Sequence, residues 1–179
     1  MQKCSGKVRE KMKNNLIGKK LIWLSMFMAL SVVGATIKIP AIVGSIALDS
    51  FPALLAASIL GGGAGAVAGA LGHLVSAMLS GFPLGPMHFL ISMEMAILIW
   101  MFGVFWHHHK KVVASLFFIL GNSIMAPLPF LFILGKGFYW AVLPSLILSS
   151  AMNTGLALLL IPRLVPIITN RLFKGEIKG

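Results

Sequence analysis

The chain has few of the residues that enzymes and regulators depend on. Its 179 residues include four acids, one cysteine and one tyrosine. Only Asp49 and Glu94 lie between the first and last apolar blocks, and no nucleophile–base constellation accompanies them. Enzyme chemistry is therefore the weakest reading. Cys4, the lone cysteine, stands in the basic N-terminal stretch, so the chain has no internal disulfide and no thiolate within its apolar portion. A G-x-x-x-x-G-K-[ST] phosphate loop is missing, and LGKGF around Lys136 lacks that spacing. The chain has no ATP site of its own. G-x-S-x-G and H-E-x-x-H are missing too, and no cofactor is expected.

Long apolar runs dominate instead. The composition is 58% hydrophobic and 11% charged, with a mean hydropathy of +0.96. A soluble domain needs far more polar surface. Spanning helices need about 20 mostly apolar residues. Suitable blocks fall at 21–37, 48–60, 63–80, 88–106, 112–134 and 138–162. The second is short and must tilt or draw on its flanks. The expected fold is all-α and integral to the membrane, a compact bundle of six transmembrane helices. It comprises a basic tail at 1–20, a membrane domain at 21–162 and a second basic tail at 163–179. The basic start, LIWLSMFMALSVV and the following GA also have the form of a signal peptide. Five further spans favour reading this segment as the first helix.

Charge sets the orientation. Placing both termini in the cytoplasm puts thirteen cations inside, against Lys38 and Lys136 outside. The net charge of +11 thus reads as a topology signal facing the lipid bilayer, with no nucleic-acid partner implied. WHHHKK at 106–111 belongs to the same cytoplasmic side and reads as an interfacial anchor, with no metal site expected.

Small residues recur at helical spacing. Gly61, Gly65, Gly69 and His73 form one four-residue stripe, and Ser145, Ser149, Asn153 and Ala157 form another. Such stripes let helix backbones approach closely in lipid, and they carry His73 and Asn153 into the bundle. In the fifth span Asn122 precedes APLPF, where Pro127 and Pro129 must kink or unwind the helix.

SGFPLGP, residues 80–86, reads as an outer turn between spans three and four. His73 and Glu94 are equally distant from its midpoint and so should share a depth. They either pair to fix the hairpin or line an outward-facing cavity, because a carboxylate in lipid costs about 2.5–3.5 kcal/mol unless paired, protonated or wet. Asp49 serves equally as a helix cap or a ligand, Lys38 snorkels or answers Asp49, and His88 opens span four near the interface. Asn122 and Asn153 lie deeper and would floor such a pocket. Phe51, Phe82, Phe89, Phe130, Phe138, Tyr139 and Trp140 form an aromatic belt or a lid. Without an Arg cluster to grip phosphate, a neutral, hydroxylated, ring-containing solute fits best.

These features resemble the substrate-binding S components of energy-coupling factor (ECF) transporters. The resemblance covers 21–162, and the stretch from KIPAIVG to MEMAILIW is most similar to the type assigned to alpha-ribazole. It implies a subunit in the plasma membrane of a prokaryote that captures a vitamin or vitamin precursor outside. The subunit would then join a transmembrane coupling subunit and two ATP-binding subunits, and topple to release its ligand inward. Asp49, His73, Phe82, His88, Phe89, Glu94, Asn122 and Asn153 are the expected substrate contacts. The family docks through an alanine-x-x-x-alanine face on the first helix. The nearest matches here are Ser25-x-x-x-Ala29 and Ser31-x-x-x-Ala35. Nickel and cobalt relatives carry an N-terminal Met-His, whereas this chain begins MQK. Intact cobalamin, with His73 on cobalt, is the alternative ligand. A purely structural membrane protein and a small channel are the alternative classes.

Overall fold

The computed structural model describes residues 2–40 and 45–173. The side chains of Cys4 and Lys38, and the cations Lys174 and Lys178, lie outside the described residues.

The order is α1 (Gln2–Thr36), a hairpin of β1 (Lys38–Pro40) and β2 (Ser45–Ala47), α2 (Phe51–Leu60), α3 (Gly62–Leu79), α4 (Met87–His107), α5 (Lys111–Leu120), a π segment (Gly121–Met125), α6 (Leu128–Ile133) and α7 (Lys136–Phe173). Among the described residues five helical segments are long and apolar enough to cross a membrane, with α5 through α6 counting as one. The fold is the expected helical membrane bundle, with one refinement. At ten residues α2 is about 15 Å long, half of a ~30 Å hydrocarbon layer, and it does not cross on its own.

Both basic segments are helical where described. Helix α1 begins at Gln2 and α7 runs on to Phe173, so each extends beyond its apolar block. Lys and Arg are good helix formers, and the charged turns continue the helix instead of ending it. The β-hairpin, with Lys38 opposite Ala47, was not anticipated. Its strands are three residues each, too short for a period-two pattern to register.

Glycine sets the helix spacing. A Cβ on Gly65 would lie 2.7 Å from Ala57 Cα, and one on Gly103 would lie 2.6 Å from Gly62 Cα. The α2–α3 and α3–α4 seams therefore bring backbone against backbone. Gly72 receives Ser31 of α1 in the same manner, with 3.0 Å to its Cβ. Gly61 is not part of the α3 stripe. At φ 108° it is the hinge that lets α2 fold back on α3. The hinge frees the Ala57 carbonyl from its helical partner, and His107 Nε2 donates to it at 3.2 Å. One histidine of WHHHKK thus caps a broken helix, while Lys111 Nζ lies 5.3 Å from the centre of the Trp106 ring.

Helix α4 closes with a Schellman pattern, in which Lys110 N–H donates to Phe105 O and His109 N–H to Trp106 O. His109 occupies its left-handed position at φ 61°, where a side chain costs about 1 kcal/mol. His109→Gly should therefore raise the apparent Tm by roughly 2–4 °C in a heating series followed by size-exclusion chromatography.

The prolines act where expected. Ala126 N–H donates to Gly121 O, one residue beyond the α-helical partner, which makes a π turn. Tyr139 Oη donates at 3.3 Å to the Ile124 carbonyl in the unwound stretch. The buried core, including Ala53–Ala57, Ile99, Phe102, Phe118, Ala157 and Ile161, fills the half of the bundle nearer the free ends of α1 and α7.

Candidate functional site

The other half is hollow. A cavity of about 340 Å³ lies among the 47–50 corner, the 80–84 turn, the α5–α6 break and the start of α7. All four are at the end of the bundle opposite the free ends of α1 and α7. Its walls are mainly apolar (Ile91, Met95, Ala126, Phe130, Val142 and Leu146 among them), with polar groups from Asp49, His73, His88, Asn122 and the serines at 50, 76, 80 and 149.

Each polar group is held by its own element. The 80–86 turn starts with a Schellman closure, Phe82 N–H to Ala77 O at 2.8 Å and Gly81 N–H to Met78 O at 3.0 Å. Gly81 is left-handed at φ 76°. The turn brings the first residue pair of α4 back over α3, so His88 Nδ1 and His73 Nε2 lie 3.2 Å apart. The Leu84 N–H donates to His88 Nε2 at 3.4 Å. The Phe82 ring meets the His88 ring edge-on, with centroids 5.6 Å apart. Asp49 Oδ1 accepts from Ser50 Oγ at 3.0 Å. The π turn presents Asn122, whose Nδ2 donates to Ser150 Oγ at 2.8 Å. Ser123 and Ser150 complete that seam, with Ser150 Oγ donating to the Leu146 carbonyl.

Of the eight residues expected to touch substrate, Asp49, His73, His88 and Asn122 line the cavity. Phe82 reaches it through His88. The other three are placed differently. Phe89 is 62% exposed on the outer face of α4. Asn153 is 1% exposed and fully engaged: its Oδ1 accepts from Ser50 N–H and Phe51 N–H, and its Nδ2 donates to the Ala47 and Ser149 carbonyls. It ties the 47–51 corner to α7 and caps α2 from across the bundle. Glu94 is half-buried with Oε2 lacking a hydrogen-bond partner; it is not among the cavity-lining residues, and His73, one candidate partner for it, bonds to His88 instead.

Helix phase explains this. His88, Ile91 and Met95 face the cavity, and Glu94 lies about 120° round the axis from His88. It shares a stripe with Leu98, whose side chain meets Gly121.

Two aromatic wall residues, Phe130 and Phe138, had been assigned only to the belt or lid. Their rings are 6.2 Å apart, and both line the cavity. Their position after the proline break and at the start of α7 was the available signal. The two first-helix faces also differ. Ser31 and Ala35 are 0% exposed, turned toward the bundle, whereas Ser25 and Ala29 are exposed. Among the described residues no group of three or more His, Cys, Asp or Glu is arranged to hold a metal ion.

A solute-sized hollow with sparse polar groups, at one end of a bundle of apolar helices, suits capture of a small molecule. Comparison with known proteins points the same way. No curated protein and no solved structure matches the chain. The family model described as "ECF transporter, substrate-specific component" matches residues 19–174. The chain therefore belongs to the substrate-specific components of ECF transporters, membrane subunits that bind a small molecule and work with an ECF module.

Proposed function

We propose that this subunit captures alpha-ribazole at the outer face of a prokaryotic plasma membrane, its termini lying in the cytoplasm. It delivers the nucleoside to a coupling subunit driven by two ATPases. The observation that carries this reading is the cavity: about 340 Å³, apolar on most sides, with an aromatic pair and a few uncharged donors and acceptors around one carboxylate. That volume is at the lower end of the range for small-molecule sites. It suits a nucleoside and falls well short of a whole corrinoid, so intact cobalamin is disfavoured. Asp49 would accept from ribose hydroxyls, His73 and Asn122 would add polar contacts, and Phe130 with Phe138 would flank the benzimidazole. Ser25 and Ala29 offer the small-residue face for docking on the coupling subunit.

Titrating the purified protein in nanodiscs with alpha-ribazole, cobalamin, other vitamins and common nucleosides tests the assignment. Saturable binding of alpha-ribazole is expected. Ala77→Phe, which fills a wall position, should weaken it by at least about 100-fold by occupying the ligand's volume. Tight binding of a different vitamin, with none of alpha-ribazole, would overturn the ligand while leaving the family intact.

A further inference from the structure

We propose that His88 is a positioning residue that locks the tautomer of His73, so that the cavity presents a fixed N–H donor, His73 Nδ1, beside the Asp49 carboxylate. The ligand selected is one with a hydrogen-bond acceptor, such as a ring nitrogen bearing a lone pair, close to a hydroxyl donor. The ligand half of this proposal rests on the small-molecule reading above; the tautomer half rests on the protein alone.

The chain of donors has one direction. A backbone N–H can only donate, so Leu84 N–H requires a lone pair on His88 Nε2, 3.4 Å away. A neutral imidazole carries one proton, which on His88 must then be on Nδ1. That nitrogen is 3.2 Å from His73 Nε2, so Nδ1–H donates and His73 Nε2 accepts. The His73 proton is thereby assigned to Nδ1. Protonation of either ring would remove a lone pair that the chain needs.

The surroundings hold this arrangement. His88 is 7% exposed, with the Phe82 ring on one side at 5.6 Å and the His73 ring on the other at 5.4 Å. Turning its ring over would forfeit both hydrogen bonds inside a buried site. His73 Nδ1 has no hydrogen-bond partner among the described residues, and His73 lines the same cavity as Asp49. A donor and an acceptor are thus offered from adjoining walls, and a site built this way discriminates strongly against ligands that leave a polar group unpaired.

The test is nitrogen-15 NMR of the histidine rings in the full chain in nanodiscs at neutral pH. Wild-type His73 and His88 are both expected to carry the proton on Nδ1. His88→Leu should release His73 to a mixture rich in the Nε2–H form, whereas His88→Asn, whose Nδ2–H replaces the Nδ1 donor, should keep it on Nδ1. A wild-type His73 protonated on Nε2, or one unchanged in His88→Leu, overturns the lock. In parallel, binding of alpha-ribazole and of its neutral indole analogue, in which C–H replaces the free ring nitrogen, is compared. Wild type should favour alpha-ribazole, and His88→Leu should narrow that preference by about tenfold. An unchanged preference overturns the specificity role. If neither compound binds wild type, the ligand assignment and the ligand half fall together, and the NMR spectra still decide the lock.

Discussion

Asn153→Leu should lower the apparent Tm by roughly 5–15 °C and abolish ligand binding, although the residue lies outside the cavity wall. The side chain meets four backbone groups, two through Oδ1 and two through Nδ2. Leucine keeps the branch at Cγ, but its methyls cannot approach backbone atoms at the 2.8–3.1 Å that the amide does, so a clash adds to the lost pairing. What is lost is the pairing of Ser50 N–H, Phe51 N–H and the Ala47 carbonyl in a buried place. Buried groups left unsatisfied cost about 1–3 kcal/mol each before relaxation. Cross-helix bonds in membranes fall at the low end of such values, so a total of about 2–4 kcal/mol is expected. Helix α2 has no side-chain cap of its own, since Ser50 makes none, and its N-terminus has no substitute for Asn153 Oδ1. The 47–50 corner carries Asp49 into the cavity, so loosening it should remove binding before the fold is lost. Binding at 10 °C, where the fold survives, separates the two effects. Full affinity there would show that the corner is held by something else.

Gly103→Leu should be as damaging by a different route, costing about 3 kcal/mol and most of the folded yield. The new Cβ alone would come within 2.6 Å of Gly62 Cα and 2.9 Å of Gly62 N. These are backbone atoms and cannot turn aside as a side-chain tip does, so α3 and α4 must separate along their length. Gly63 is the contrast. A Cβ there meets nothing within 4 Å, and Gly63→Ala should stabilise the helix by about 0.5–1 kcal/mol. Monodisperse yield in detergent, followed by thermal challenge, distinguishes the pair. Equal behaviour of the two variants would refute the packing account.

Spans, the proline break and the 80–86 turn were legible because each depends on a local signal: an apolar run, a missing N–H, a Gly/Pro cluster. Rotation about the axis was not. His73 and Glu94 are equidistant from the turn, yet only His73 faces the hollow, because the Schellman closure fixes the phase of α4 so that His88 comes over α3. A three-residue strand pair leaves no periodic trace. Asn153 had the correct inward face, but its stripe could not reveal that four backbone groups already claim its amide. The cavity itself is the space that α2 leaves by stopping halfway, and no single segment encodes it.

That halfway stop has a last consequence. Beyond the hollow, toward the free ends of α1 and α7, the bundle is solid: alanines 53, 56 and 57, Ile99, Phe102 and Phe118 are 0% exposed. Among the described residues the chamber ends against this packing. A solute seated in it has close-packed side chains between itself and the opposite face, and passage that way would require the core to open.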